Sequence, residues 1–217
     1  MGRTRTFDEA DAARSALGVF WDHGFDGAAV PDLEQATGLS RSSIYHSFGS
    51  KRGLFDAAVT TYLDQVVRPR LAPLQAQHVA SDALAGYLHG LRRVMADHAL
   101  PLAAHGCLLL NTATSPIGAD DALRDIVRDY RRELALAIAR GVEAARPELD
   151  SEASACLGTA CTAHVIAAMT LVRVDAEGAV ALLDNALTLL TAPIAGAARA
   201  SDDAAAHSSE RGMAGRR

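Results

Sequence analysis

Lysine is nearly absent from this chain: of 21 basic residues 20 are arginine, which leaves Lys51 alone. The formal charge of −5 excludes a generally basic coat for nucleic acid, so any DNA contact has to come from a local cluster. Aromatic residues are scarce at 5%, and the three cysteines, Cys107, Cys156 and Cys161, are too few and too unevenly spread for a disulfide framework. Strand formers are few as well. Against 45 Ala and 26 Leu stand 13 Val and 6 Ile, a composition that favours helix. No stretch alternates apolar with polar residues, and no repeat recurs at a fixed period. No two glycines flank a single residue, so the glycine-rich loop of dinucleotide sites and the strained elbow of serine hydrolases are both excluded. There is no phosphate-binding P-loop and no H-E-x-x-H. His105 and Cys107, with Cys161 and His164 three apart, lack the closed spacing of a metal site. A non-enzymatic protein without cofactor or metal is expected.

With 217 residues, 49% of them hydrophobic, the chain is long enough to bury a sizeable core. Two stretches carry no charged residue, 99–119 and 153–172. Pro101, His105, Gly106, Asn111 and Pro116 break up the first. The second is long enough to span a bilayer, but it is built mainly of Ala, Thr, Cys and Gly around His164 and reads as a helix buried between other helices. No basic start followed by an apolar stretch marks the N-terminus. A soluble, cytoplasmic protein is expected.

Helical spacing of Ala12, Ala13, Ala16, Leu17 and Phe20 predicts a first helix over residues 8–23, closed by Gly24. A short helix follows from about Pro31 to Gly38, and a second from Ser40 through Tyr45. Gly49 breaks again, and Ser50 caps a long helix bearing Leu54, Phe55, Ala58, Val59, Tyr62, Leu63 and Val66, with Pro69 and Pro73 marking its end. Beyond it, Ser81 reads as the cap of a helix carrying Leu84, Leu88, Leu91 and Met95. Helices are then expected from Asp120 to Pro147, over 151–173 and over 176–191. From Gly196 onward the sequence has no apolar periodicity and reads as a disordered tail.

Asp and Glu belong at helix starts, where free amides concentrate positive potential, and most starts here follow that rule. Two do not. Arg41 directly follows the cap Ser40, and Lys51 directly follows the cap Ser50. A cation at a helix N-terminus is an arrangement that receives phosphate. Both flank a short helix that offers Ser42, Ser43, Tyr45 and His46, side chains able to donate to phosphates or base edges. With the preceding helix and the Gly38 turn they form a helix-turn-helix.

The run from Thr37-Gly38-Leu39-Ser40-Arg41 to Phe48-Gly49-Ser50-Lys51-Arg52-Gly53-Leu54-Phe55, preceded by Gly24-Phe25 and Val30-Pro31-Asp32-Leu33, resembles the TetR family of bacterial transcriptional regulators. The resemblance covers residues 8–55. It implies an all-α fold: an N-terminal three-helix helix-turn-helix DNA-binding domain (residues 1–50), then a helical ligand-binding and dimerisation domain (51–195) joined through a helix over 51–68. It further implies that Arg41 and Ser42 reach base edges, that Ser43 lies on the same surface, and that Tyr45, His46 and Lys51 hold phosphates. Ile44 and Phe48 would pack inward, and the arm bearing Arg3 and Arg5 could also reach DNA. Ala28 and Ala29 depart from the family, which often has Thr or Ser there, and Glu34 replaces a frequent small residue.

The family also implies an effector cavity and a homodimer through the last two long helices. Candidate cavity residues are the polar or soft side chains at otherwise apolar places: Tyr62, Tyr87 and Met95, then Cys107, Asn111 and Tyr130, and finally Cys161, His164 and Met169. Small residues Ala153, Gly158, Ala160, Ala163 and Ala167 permit close helix approach, and Leu182, Leu183, Ala186, Leu187 and Leu190 supply an apolar face, for a partner or for the chain's own core. The segment Gly106-Cys107-Leu108-Leu109-Leu110-Asn111-Thr112-Ala113 is similar to one in a subgroup whose members include cysteine-based sensors of electrophiles or oxidants. A reactive Cys107 needs a lowered pKa, which a helix opening at Gly106 beside His105 would favour; a buried, inert thiol is the alternative. The expected function is a ligand-responsive regulator, a repressor released from palindromic double-stranded DNA by a small molecule. The alternatives are a Cys107-based sensing repressor and a helical protein-interaction module without DNA binding.

Overall fold

Each helix begins where the sequence supplies an oxygen for its free amides, or does without one at a cost. The computed structural model describes residues 8–97 and 99–193; the arm with Arg3 and Arg5 and the tail from Gly196 lie outside the described residues. Helix α1 (Glu9–Gly27) starts with the Ala10 amide donating to Asp8 Oδ1 at 2.9 Å, and it buries Ala12, Ala13, Ala16, Leu17, Phe20 and Trp21. Its regular part stops at Gly24, where φ is 71°. Helix α2 (Val30–Thr37) has Ala29 at its cap position and no side-chain cap. Helix α3 (Arg41–Phe48) is capped by Ser40 Oγ, which accepts from the Ser43 amide at 3.2 Å. Helix α4 (Lys51–Tyr62) is capped by Ser50 Oγ, which accepts from the Gly53 amide at 3.0 Å.

These four helices close on aromatic rings. Phe20 of α1 meets Phe55 of α4 edge-on at 5.0 Å, and Phe25 meets Phe55 at 5.2 Å. Ile44 is 2% exposed and Phe48 packs against the same core, so both point inward as expected. Helix α3 sits so tightly on α4 that a Cβ at Gly53 would lie 1.9 Å from the Phe48 carbonyl oxygen. No side chain fits there.

The connecting helix departs from the sequence reading. Pro69 does not end it. A proline at that position cannot donate to the Gln65 carbonyl, and its ring crowds the preceding turn. The ladder widens instead into a π-turn over Leu63–Val67, with the Arg68 amide donating to the Leu63 carbonyl five residues back. The helical path then continues as α5 (Arg68–Gln75), which contains Pro73.

After α5 come α6 (Ala83–Ala96), α7 (Pro101–His105), α8 (Leu108–Ala113), a 3-10 turn over Pro116–Ala119, α9 (Asp121–Ala145), α10 (Ser151–Leu171) and α11 (Ala176–Thr191). Three details correct the sequence reading. Asp82, not Ser81, occupies the α6 cap position, and its side chain makes no cap bond. Helix α7 was not foreseen, because five residues carry too little periodicity. Gly106 opens no helix; it turns the chain between α7 and α8 with φ 68°, and Cys107 takes the cap position of α8. The last three helices match their expected spans closely, since each starts at an aspartate whose carboxylate accepts from an amide three residues on: Asp120 from Leu123, Asp150 from Ala153, Asp175 from Gly178.

Helix α10 is the described helix long and apolar enough to cross a bilayer. It packs against α9 and α11, and Gly158 lets it approach α9 so that an added Cβ would meet the Ala139 Cα at 3.5 Å. Its other face, with Ala155, Thr159, Ala163 and Ala167, is exposed, so the helix is flanked by its neighbours rather than enclosed. On α11, Leu183, Ala186 and Leu190 are buried within the chain, which makes much of the expected apolar face intramolecular core.

One ion-pair group ties α4 to α9. Arg52 meets Asp56 at 2.8 Å and Asp120 at 2.9 Å. The Arg52 guanidinium, helped by the Leu123 amide, lowers the Asp120 carboxyl from the usual 3.8 to about 2. A carboxyl lowered on folding contributes stability that is complete above its unfolded value and lost as pH falls through the folded one. The stability difference between wild type and Asp120→Asn, measured by urea unfolding, should therefore be constant above about pH 5 and shrink between about pH 4 and 2. A difference that does not change with pH would show that the pair contributes nothing.

Candidate DNA-binding surface and effector cavity

On α3 the residues four apart share a face. Arg41 and Tyr45 form one such row and Ser42 and His46 the next. Arg41, Ser42 and His46 are exposed, while Ser43 and Tyr45 are half-buried. The Arg41 guanidinium lies 5.4 Å from the centre of the Tyr45 ring, and Lys51 Nζ lies 4.6 Å from that of Phe25. Both contacts fix the direction of a cation without neutralising it. At the start of α4 no acidic residue occupies the first turn, so Lys51 adds to the positive potential of the amides there.

The start of α3 is different from what the sequence implied. Glu34 reaches across from α2, and its Oε1 accepts from the Arg41 amide at 2.6 Å. The helix N-terminus thus already carries an anion, and Glu34 positions α3 against α2. The residue was visible as a departure from the family pattern, but only the turn at Gly38 brings it to the helix start.

A second group of residues gathers where α1 and α4 meet the C-terminal helices. Trp21 Nε1 donates to the Gly106 carbonyl at 2.7 Å, and the Trp21 ring stands edge-on to Tyr62 at 5.0 Å. Beside it, His105 Nδ1 lies 3.3 Å from Asp22 Oδ1. Gly106 is fixed twice over: its φ is positive, and a Cβ would lie 2.6 Å from the Met169 carbonyl oxygen. From Tyr62 a chain of contacts runs inward. The Tyr62 hydroxyl donates to Cys107 Sγ at 3.4 Å, the thiol donates to the Tyr130 hydroxyl at 3.6 Å, and that hydroxyl donates to Met169 Sδ at 3.5 Å. Burial first, and the neighbouring Cys107 second, push the Tyr62 and Tyr130 phenols well above their ordinary range, as they do for Tyr87. These hydroxyls stay protonated.

Tyr62, Tyr87, Tyr130 and Met169 line an inner cavity of about 20 Å³, together with Val66 of the π-turn and Arg70. That volume holds about one water. Arg70, Tyr87 and Leu91 are shared with an outer cleft of about 670 Å³ between α5 and α6, which opens to solvent. The cleft is within the size range of small-molecule sites. Five of the nine expected residues thus converge, Cys107 through its bonds to two of the tyrosines. Four do not. Met95 is buried in α6 away from the cavity lining, and Asn111 Nδ2 donates to the His105 carbonyl at 2.7 Å. Cys161 contacts the Ala186 carbonyl at 4.0 Å, and burial pushes its thiol up to about 11. His164 bonds the Ala160 carbonyl of its own helix. Among the described residues no group of three His, Cys, Asp or Glu could hold a metal ion. Arg70, Leu91 and Trp21 were not foreseen; an arginine next to a mid-helix proline was the one signal available for the first.

The fold and the α3 surface define an all-helical helix-turn-helix protein with a separate cavity beyond its helix-turn-helix. Residues 13–58 match the family described as bacterial regulatory proteins, tetR family. The chain is 32% identical over 115 residues to the HTH-type transcriptional repressor ComR of Escherichia coli, a match covering 52% of this chain and 53% of that protein, about half its length. Among solved structures, a TetR transcriptional regulator from Chloroflexus aurantiacus is 30% identical with a TM-score of 0.62, covering 84% of this chain and 91% of that one. A cysteine variant of the TetR family regulator CifR, complexed with 26-base-pair double-strand operator DNA, is 28% identical with a TM-score of 0.71, covering 88% and 100%. The chain belongs to the TetR family.

Of the three thiols only Cys156 is exposed; Cys107 and Cys161 are buried. Under native conditions a bulky aromatic disulfide reagent should leave Cys107 and Cys161 untouched, and both should react once urea unfolds the chain. Rapid labelling of Cys107 in the native protein, read by peptide mass, would contradict its enclosure.

Proposed function

We propose that the protein is a homodimeric repressor, working in the cytoplasm, that binds a palindromic operator and is released from it by a small molecule. The single observation that carries this reading is the position of the cavity: its wall is the π-turn of the same helical path that begins at Lys51. In this reading residues up to about 50 form the DNA-binding unit and 51–195 the ligand-binding and dimerisation unit. Arg41 and Ser42 read base edges, Ser43 supports them, and Tyr45, His46 and Lys51 hold phosphates. Two copies of α3 must lie about 34 Å apart to enter successive major grooves, which calls for a dimer. The exposed small-residue face of α10 with the neighbouring surface of α11 is the proposed interface.

An inner cavity of about 20 Å³ cannot accept an organic molecule without moving its walls. A ligand entering from the outer cleft would displace Tyr62 and Val66. Tyr62 packs on Trp21, and Gly53 seats α3 directly on α4, so the displacement reaches α1 and α3 together. Coupling of this kind is typically ~1–3 kcal/mol, a change of roughly 5- to 150-fold in operator affinity. The sensing alternative through Cys107 is less well supported, since the thiol is fully buried and enclosed between two phenols.

Fluorescence-anisotropy titration against DNA from the protein's own upstream region tests the reading. Arg41→Ala should cost about 1–3 kcal/mol and relax base preference, whereas Lys51→Ala should weaken binding to all sequences and lower the salt slope by ~1 per half-site. Unchanged binding in both variants, with the fold intact by circular dichroism, would leave a helical interaction module as the better account.

A further inference from the structure

We propose that the cleft between α5 and α6 takes a small organic acid: an apolar body seated against Tyr87 and Leu91, and a carboxylate held by Arg70. This rests on the reading of the cavity as the effector site and names the chemical class it would accept. Arg70 is the one charged residue that lines both the inner cavity and the outer cleft. Asp82, Arg93 and Asp97 line only the outer cleft, and all three are exposed, as Arg70 is. Among the described residues no carboxylate pairs with Arg70; its guanidinium donates only to the Val66 carbonyl of the turn below, which leaves most of its five donors free. The Tyr87 hydroxyl next to it has no partner among the described residues either. The rest of the throat is aromatic and aliphatic. An exposed cation with unused donors that lines both spaces is suited to a planar carboxylate, which it can bind through two parallel hydrogen bonds.

The floor of the cleft points the same way. Gly86 and Gly90 lie one turn apart on α6, both line the cleft, and a Cβ at either would meet nothing within 4 Å. Glycine inside a helix is unfavourable relative to alanine, and here no backbone neighbour requires it. Two side chains omitted from one face leave the space that the body of a ligand would fill.

The probes are phenylacetate, 4-phenylbutyrate and octanoate, each beside its uncharged amide. Trp21, the single tryptophan, stands against Tyr62 at the cavity wall and reports binding by its fluorescence, with calorimetry as a second readout. At least one acid should bind about tenfold more tightly than its amide. Arg70→Gln should remove that preference. Gly90→Leu, which fills the cleft and improves the helix, should abolish binding without lowering the melting temperature. Equal affinity of acid and amide, an acid affinity unmoved by Arg70→Gln, or no acid binding at millimolar concentration would each overturn the proposal. Operator binding, followed in parallel, separates this inference from the reading beneath it. Acids that bind through Arg70 yet leave the operator bound would uphold the ligand class and remove the effector role. Amides that release the operator as well as acids do, with Gly90→Leu blocking both, would keep the effector role and overturn the choice of an anion.

Discussion

The hydrogen bond from the Trp21 indole to the Gly106 carbonyl is the contact on which the rest of the arrangement depends. It joins two residues 85 positions apart in the sequence, and both of its ends are held from behind. Trp21 cannot swing away, because Tyr62 stands edge-on to its ring. Gly106 passes so close to α10 that an added Cβ would lie 2.6 Å from the Met169 carbonyl oxygen. A buried N–H left without its acceptor would cost ~1–3 kcal/mol, so helix α1 and the turn bearing Cys107 move together or separate at a substantial cost.

That constraint explains how a cavity and a DNA surface can share one state. Among the described residues, no α3 side chain lines the cavity or the cleft. These side chains depend on the placement of α3 by Gly53, Glu34 and the phenylalanine cluster, all of which rest on α1 and α4. Both helices have their far parts in the seam: α1 through Trp21 and Asp22, α4 through Tyr62. The Arg52–Asp120 pair adds a third tie at the other end of α4. A change at Tyr62 is therefore a change in α4, the helix on which α3 is seated.

Much of this was legible in the residues. Caps and periodicity located α1 through α4 and placed the last three helices within a few residues, because aspartate caps, glycine stops and apolar stripes act locally. The surface of α3 was legible for the same reason, its side chains needing only a helix to share a face. The cavity was half legible. Polar residues in apolar stretches gave Tyr62, Tyr87, Cys107, Tyr130 and Met169, but the same signal also gave Met95, Asn111, Cys161 and His164, whose partners lie elsewhere. Which buried polar groups meet is decided by helix packing across long sequence separations, and composition does not encode that. The π-turn was missed because Pro69 reads as a stop, while tertiary packing carries the helix past it. Glu34 shows the reverse case: it was noted as an exception, and its purpose became clear only once the turn brought it to the Arg41 amide.

If the seam is the common support, it should be as stable as the whole. Urea unfolding followed at once by Trp21 fluorescence and by far-ultraviolet circular dichroism tests this directly, since the first reports the seam and the second every helix. The account predicts coincident transitions at a single midpoint. Loss of the Trp21 signal at lower urea than the loss of helix would contradict it, showing that the seam opens while both halves remain folded.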